Sequence, residues 1–132
     1  MIDAPVETVF GFHEREEALK LLTPPFPPVK IRRTGTLEPG ARVELRSGPM
    51  CWVAVHRAYE KNHLFIDEQV AGPFRRWVHR HEFEDLAGRT RLTDRVDYEA
   101  PGGAMANALV RPLLAALFAY RHRVTKRECE RA

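Results

Sequence analysis

The chain has 132 residues, of which 44% are hydrophobic and 30% are charged, and this balance excludes a disordered protein. The length fits one folded domain, residues 1–132, with a single core and room for an internal pocket. The net charge is only +3 and basic and acidic residues alternate, so we expect no nucleic-acid partner.

The two cysteines, Cys51 and Cys129, stand far apart in the sequence, which is typical of a reducing compartment rather than of a disulfide scaffold. The sequence does not open with a basic and then apolar leader, and no run reaches about 18 apolar residues. We therefore predict a cytoplasmic protein without a membrane span.

The first thirty residues predict two short helices and a rigid connector. Pro5 suits the first turn of a helix, where its missing N–H is not needed, and Val9 and Phe10 lie on the apolar side of that helix. A second helix is predicted over residues 15–22, where apolar residues again recur at helical spacing. The four prolines in residues 23–28 end it, because each removes a donor and keeps its predecessor extended.

After residue 28 the pattern changes to strands separated by Gly and Pro turns. Six antiparallel strands are predicted, over residues 29–33, 41–46, 51–60, 64–70, 74–85 and 90–99. A long helix rich in Ala and Leu is then predicted over residues 104–127. Its apolar residues recur at three- and four-residue steps, at Met105, Leu109, Leu113, Leu117, Tyr120 and Val124. Because the helix is apolar on more than one side until about Tyr120, we predict that it is largely covered.

This order of elements resembles the START/SRPBCC superfamily, which includes the pollen-allergen-like proteins. The resemblance is carried by APVETVFGFH at residues 4–13, LTPP at 22–25, FIDEQVAGPFRRWVHRHEF at 65–83, Thr90 with Asp94 and Tyr98, and FAYR at 118–121. More narrowly, the chain is similar to the bacterial polyketide cyclase/dehydrase-like ligand-binding group. The resemblance implies an α+β helix-grip fold, in which a curved antiparallel sheet wraps around the long C-terminal helix and leaves a cavity between them. Only residues 1–3 correspond to the usual first strand, so one edge of the sheet is expected to be open.

One face of the predicted sheet combines aromatic rings with imidazoles. Trp77, His79, His81 and Phe83 occupy every second position and therefore share a face. A hairpin centred on residues 87–88 places Trp77 opposite Tyr98, His79 opposite Val96 and His81 opposite Asp94. A three-residue loop at 71–73 places Asp67 opposite Trp77 and Phe65 opposite His79, and a turn at 61–62 places His56 opposite Asp67. The predicted ligand-binding wall is Trp52, His56, Phe65, Asp67, Gln69, Trp77, Phe83, Leu92, Val96 and Tyr98, faced by Met105, Leu109 and Leu113 from the helix.

The polar members of this face suggest acid–base chemistry. A carboxylate beside an imidazole raises its basicity, so His79, His81 and Asp94 are the candidate catalytic residues of a cyclase or dehydratase, and we expect a raised His81 pKa. The alternative is structural, with Asp94 and His81 satisfying each other inside the protein. His79 and His81 also present two nitrogens to one side, but no third ligand stands at close spacing, so neither a metal nor another cofactor is expected. His13, His63 and His122 are predicted to be exposed.

We expect binding of a hydrophobic or amphipathic small molecule, such as a lipid, polyketide or aromatic metabolite, between sheet and helix. A cyclase/dehydratase-type enzyme is the first alternative, and a protein-interaction or structural role with a vestigial cavity is the second. An apolar group on the outer face of the sheet predicts a homodimer through that face or through the open edge. That group is Val53, Val55, Tyr59, Leu64, Ile66, Val70 and Val78.

Overall fold

A computed structural model describes residues 1–131 as one antiparallel sheet with three helices. The helices are α1 (Val6–Glu14), α2 (Ala18–Leu22) and α3 (Gly103–Glu130). The strands are β1 (Lys30–Thr34), β2 (Arg42–Ser47), β3 (Met50–Glu60), β4 (Leu64–Ala71), β5 (Arg76–Asp85) and β6 (Thr90–Glu99). The strands lie in chain order across the sheet. This arrangement confirms the predicted α+β helix-grip architecture and every predicted strand.

The pairing of β5 with β6 is the predicted one. Trp77 pairs with Tyr98, His79 with Val96 and His81 with Asp94. The predicted pairing of His56 with Asp67 between β3 and β4 is also observed. The short turn that the sequence marks sets the register of β5 and β6. The pairing of His56 with Asp67 instead depends on a register shift between His56 and Ala58, because Glu60 pairs with Leu64 at the turn.

The predicted register between β4 and β5 is wrong by two residues. Asp67 pairs with His79 instead of Trp77, and Phe65 pairs with His81 instead of His79. The reason is the connection, because β4 ends at Ala71 and β5 begins only at Arg76. Since side chains alternate with period two, an even shift keeps each of them on its predicted face.

Tyr59 does not belong to the outer face of the sheet. The register shifts between His56 and Ala58, and such an irregularity turns the following residues to the opposite face. Tyr59 therefore packs edge-on against Phe10, with the ring centroids 5.7 Å apart. Val55, another member of the predicted apolar group, is buried, whereas Val70 is exposed. The homodimer stays a prediction.

The core lies where α1 and the last turns of α3 meet the sheet. Phe10 is fully buried and its ring contacts those of Phe65 and Phe83. Val124 and Cys129 of α3 complete this core. At the N-terminus, a single bridge pairs Ile2 with Thr90, so most of the free edge of β6 is left unpaired by the described residues.

Helix α3 is much less covered than predicted. Its first half stands away from the core, with Met105, Leu109 and Leu113 exposed by 77%, 70% and 69%. By length and composition alone, α3 is the one helix of the described chain that is apolar enough to cross a membrane. Its last turns nevertheless pack in the core through Val124 and Cys129, as expected of the C-terminal helix of a helix-grip domain.

Candidate functional site

The candidate site is a cluster of three histidines and two aspartates on the inner face of the sheet. We call Asp67, His79, His81, Asp94 and His122 the histidine–aspartate cluster. Four of them come from adjacent strands, since Asp67 on β4 pairs with His79 on β5, and His81 pairs with Asp94 on β6. Helix α3 contributes His122 from the opposite side. The sheet register therefore fixes four members relative to one another.

Asp94 is the centre of the cluster. Its Oδ1 accepts a hydrogen bond from His79 Nε2 at 2.7 Å and lies 3.3 Å from His81 Nδ1. Its Oδ2 accepts a hydrogen bond from His122 Nε2 at 2.6 Å. Burial disfavours the charged carboxylate, but these imidazole contacts outweigh burial and hold the Asp94 pKa far below its usual range. Asp94 is therefore ionised and joins three imidazoles.

Asp67 holds His81 from the other side, through a 2.8 Å hydrogen bond between its Oδ2 and His81 Nε2. Burial lowers the His81 pKa, but the contacts with Asp67 and Asp94 more than compensate, so the net shift is upward. Burial likewise raises the Asp67 pKa, yet the hydrogen bond with His81 and the nearby imidazole charges bring it down to about 2. The expected upward shift of the His81 pKa thus rests on two carboxylates rather than on Asp94 alone.

The pKa of His79 shifts downward, opposite to that of His81. Its ring stacks on that of His81, with centroids 3.6 Å apart. Burial and the charge on His81 lower the His79 pKa more than the hydrogen bond with Asp94 raises it. Two stacked imidazolium rings repel each other, so a proton on His81 disfavours a second proton on His79.

A groove of about 880 Å³ runs between β6 and α3, beside the cluster. It is open to solvent. Its walls are polar and apolar in nearly equal parts, and Asp94, His122 and Arg111 supply the charged or titratable groups. The lining residues are Leu92, Thr93, Asp94, Val96 and Tyr98 from the strand side, and Ala104, Asn107, Ala108, Arg111, Leu114, Ala115, Phe118 and His122 from the helix side.

The structure places only part of the predicted wall in this groove. Leu92, Val96 and Tyr98 line it, together with the catalytic candidate Asp94. Trp52 and Trp77 instead pack against Phe74, with Trp52 and Trp77 centroids 4.9 Å apart.

The remaining predicted wall residues have other partners. Phe65 and Phe83 belong to the core. Gln69 bonds the backbone N–H and carbonyl of Phe74, which fixes the turn between β4 and β5. His56 is buried opposite Asp67.

The three helix residues of the predicted wall need a correction. Met105, Leu109 and Leu113 are exposed and do not line the groove. The prediction took the most apolar stripe of α3 as the groove wall, but that stripe faces solvent. Residues 107, 111, 114, 118 and 122 also recur at three- and four-residue steps, and this second stripe faces the sheet.

His122 and His13 were predicted to be exposed, but His122 is only partly exposed and His13 is buried. His122 belongs to the cluster and keeps 37% of its side chain exposed, at the groove wall. His13 is buried, with its ring 5.3 Å from that of Phe83 and 6.3 Å from that of His81. The sequence could have predicted the position of His122, because it lies one helical turn after Phe118 of the FAYR motif. His63 is exposed, as predicted.

Comparison with known proteins places the chain among helix-grip folds. A family model described as polyketide cyclase / dehydrase and lipid transport matches residues 2–119. A nucleoside-diphosphate sugar epimerase from Corynebacterium glutamicum is similar at 28% identity and a TM-score of 0.76, covering 96% of this chain and 27% of that protein. This chain thus spans about a quarter of the epimerase. No curated protein matches the sequence closely enough to count as a relative.

Two other solved structures share the fold at lower identity. An aromatase/cyclase from Streptomyces sp. R1128 is 18% identical with a TM-score of 0.62, covering 96% of this chain and 90% of that one. Norcoclaurine synthase from Thalictrum flavum, solved with dopamine and hydroxybenzaldehyde, is 11% identical with a TM-score of 0.69, covering 96% and 80%.

Proposed function

The chain belongs to the polyketide cyclase / dehydrase and lipid transport family, and from this premise we propose that it binds a hydrophobic or amphipathic small molecule in the groove between β6 and α3. The observation that carries the proposal is the groove itself. Its volume of about 880 Å³ suits a molecule of drug-like size, and its walls combine apolar residues that can bury a ligand with polar groups that can orient it.

The polar groups of the groove indicate the kind of ligand. Arg111 offers a cation that suits a carboxylate, an enolate or a phosphate, whereas Leu92, Val96 and Phe118 suit a ring or an acyl chain. An amphipathic molecule with an acidic or carbonyl oxygen satisfies both. A polyketide, an aromatic metabolite and a fatty acid are all of this kind. Native mass spectrometry of the purified protein would identify the retained species.

Filling the groove should abolish binding without unfolding the protein. Ala115 lines the groove, and its neighbour Ala116 is exposed outside it. We expect Ala115→Trp to weaken binding of 8-anilinonaphthalene-1-sulfonate more than tenfold, because the indole occupies the ligand's place. The Kd is measured by calorimetry, so that indole fluorescence does not interfere.

The matched control is Ala116→Trp, the same substitution one position along the same helix. It should leave the Kd unchanged. Equal weakening in both variants, or none in either, would show that the probe binds elsewhere.

A second candidate function, acid–base catalysis, is favoured by the pair formed by Asp94 and His122. His79 and His81 lie behind Asp94 and do not line the groove, whereas His122 does. In this proposal His122 touches the ligand and moves the proton, Asp94 fixes its orientation, and His79 and His81 support Asp94. The reaction class is proton abstraction next to a carbonyl, as in a cyclase or dehydratase.

The catalytic candidate predicts exchange of carbonyl-adjacent protons. We expect the protein to accelerate hydrogen–deuterium exchange of 2-tetralone in D₂O, followed by proton NMR, and His122→Gln to slow it at least tenfold. The exposed His63 provides the control, His63→Gln, which should match the unmodified protein. Exchange that survives His122→Gln would remove the catalytic candidate and leave ligand binding standing.

A further inference from the structure

We propose that Asp67, His79 and His81 form a binding site for a first-row divalent transition metal ion, with Zn²⁺ as the representative. One ligand atom from each of the three lies within 4.8 Å of the other two. Two imidazoles and one carboxylate are a ligand set that such ions prefer, and three protein ligands leave a coordination position open.

The sheet holds the three ligands in fixed relative positions. His79 and His81 lie two residues apart on β5, so both side chains project from the same face. Asp67 is the direct neighbour of His79 on β4. The sequence alone indicates His79 and His81, whereas Asp67 is identified only from the observed pairing of β4 with β5. Ligands on hydrogen-bonded strands are more rigid than ligands on loops.

Asp94 acts as the outer partner that metal-bound histidines usually have. Such histidines donate their second ring N–H to a carboxylate, which fixes the tautomer and the ring orientation. Asp94 Oδ1 lies 2.7 Å from His79 Nε2 and 3.3 Å from His81 Nδ1. This leaves His79 Nδ1 and His81 Nε2 as the coordinating nitrogens.

The contact between His81 and Asp67 requires only a small adjustment, and the other pairs of ligand atoms lie within 4.8 Å. His81 Nε2 lies 2.8 Å from Asp67 Oδ2, which is a hydrogen-bond distance. Two ligands of a tetrahedral Zn²⁺ ion stand roughly 3.3 Å apart, given metal–ligand distances of about 2.0–2.2 Å. The pair must therefore open by about half an ångström, while the ion replaces the proton that the two atoms share.

A further buried imidazole, His56, lies beside the proposed metal site. His56 is the direct neighbour of Asp67 on β3 and is only 5% exposed. Its Nδ1 has no hydrogen-bond partner among the described residues. Arg121 lies within electrostatic range of Asp67 and Asp94 and offsets one of their two charges. A metal ion takes the place of the His81 proton as the second cation beside these carboxylates.

The test is titration of the chelator-treated protein with Zn²⁺ by calorimetry, and with Co²⁺ by visible absorption. We expect one ion per chain, and a Co²⁺ spectrum with the intense bands of low coordination number. Asp67→Ala and His79→Gln should each weaken Zn²⁺ more than tenfold. The matched control is His63→Gln, an exposed histidine outside the cluster, which should bind as the unmodified protein does.

X-ray absorption of the Zn²⁺-loaded unmodified protein keeps the proposal testable if the variants fail to fold. The expected first coordination sphere holds two imidazoles and one or two oxygens. A sphere without two imidazoles, binding without a fixed stoichiometry, or loss of binding in His63→Gln would overturn the proposal. None of these readouts needs the groove ligand, so the metal site and the proposed function can fail separately.

Discussion

Asp94→Ala is expected to lower the free energy of unfolding by about 3–5 kcal/mol at pH 7, the usual cost of removing one partner from a buried charged pair. Three imidazoles lose their carboxylate at once, from 2.6 Å, 2.7 Å and 3.3 Å. His81 keeps only Asp67 as a carboxylate partner, and the His79 N–H is left without its acceptor inside the protein. Urea unfolding followed by circular dichroism measures the loss.

Asp97→Ala is the matched control for this experiment. Asp97 lies on the same strand, three residues along and on the opposite, exposed face, where it forms an ion pair with Arg76. Exposed pairs contribute about 0.2–1 kcal/mol, so this variant should unfold almost like the unmodified protein. A cost below about 1 kcal/mol for Asp94→Ala would mean that the cluster relaxes around solvent and is not a tightly coupled unit.

The direction of the Asp94 effect with pH follows from its lowered pKa. A carboxyl group whose folded pKa lies below the unfolded value stabilises the protein above the unfolded pKa, about 3.9, and loses that contribution as the pH falls toward the folded value. The difference between Asp94→Ala and the unmodified protein should therefore persist from pH 7 to pH 5 and narrow only in stronger acid.

The pairing of β5 with β6 was predictable because the turn between them is short and marked by its residues. The Ala87-Gly88 turn has positive φ at both positions, and it sets the pairing of His81 with Asp94 that the sequence predicts. The Gly72-Pro73 connection carries two further residues whose conformation no local pattern decides. Tertiary packing of Phe74 between Trp52 and Trp77 holds that loop, and packing of this kind cannot be read from spacing.

The helical half of the site was predicted less well for a physical reason. Hydrophobicity alone ranks Met105, Leu109 and Leu113 above Asn107, Arg111 and His122 as groove residues, yet the polar stripe faces the sheet. A buried carboxylate needs donors, and Asp94 finds one on α3 in His122. The need of Asp94 for a hydrogen-bond donor thus explains why His122 faces the sheet, which the apolar pattern of α3 does not predict.

The second large predicted effect is the contribution of His13 to the loss of stability in acid. The ring is buried against Phe65 and Phe83, and Nδ1 donates to the Val9 carbonyl at 2.9 Å, so Nε2 is the atom that titrates. Burial, followed by repulsion from His81, lowers the His13 pKa from 6.5 to about 4, although the Val9 carbonyl and Asp94 act in the opposite direction. The unfolded chain therefore binds a proton on this residue more readily than the folded chain does.

The sign of the linkage is opposite to that of His81. A histidine with a lowered folded pKa contributes stability that is complete above the unfolded value of about 6.5 and is lost as the pH falls toward 4, by about 3 kcal/mol in total. His81, with a raised folded pKa, loses its contribution only as the pH rises above about 6.5. The two groups therefore act in separate pH windows.

Urea unfolding at pH 7.0 and pH 4.5 measures how much free energy of unfolding each protein loses on acidification. We expect this loss to be about 2 kcal/mol smaller in His13→Gln than in the unmodified protein. Glutamine keeps a donor for the Val9 carbonyl but cannot take up a proton. His56 and His79 also have lowered pKa values and add acid sensitivity of the same sign, which cancels in this comparison. The exposed His63 gives the control, His63→Gln, which should retain the full acid loss. An unchanged acid loss in His13→Gln would show that the His13 ring reaches solvent in the folded protein and titrates near its ordinary pKa.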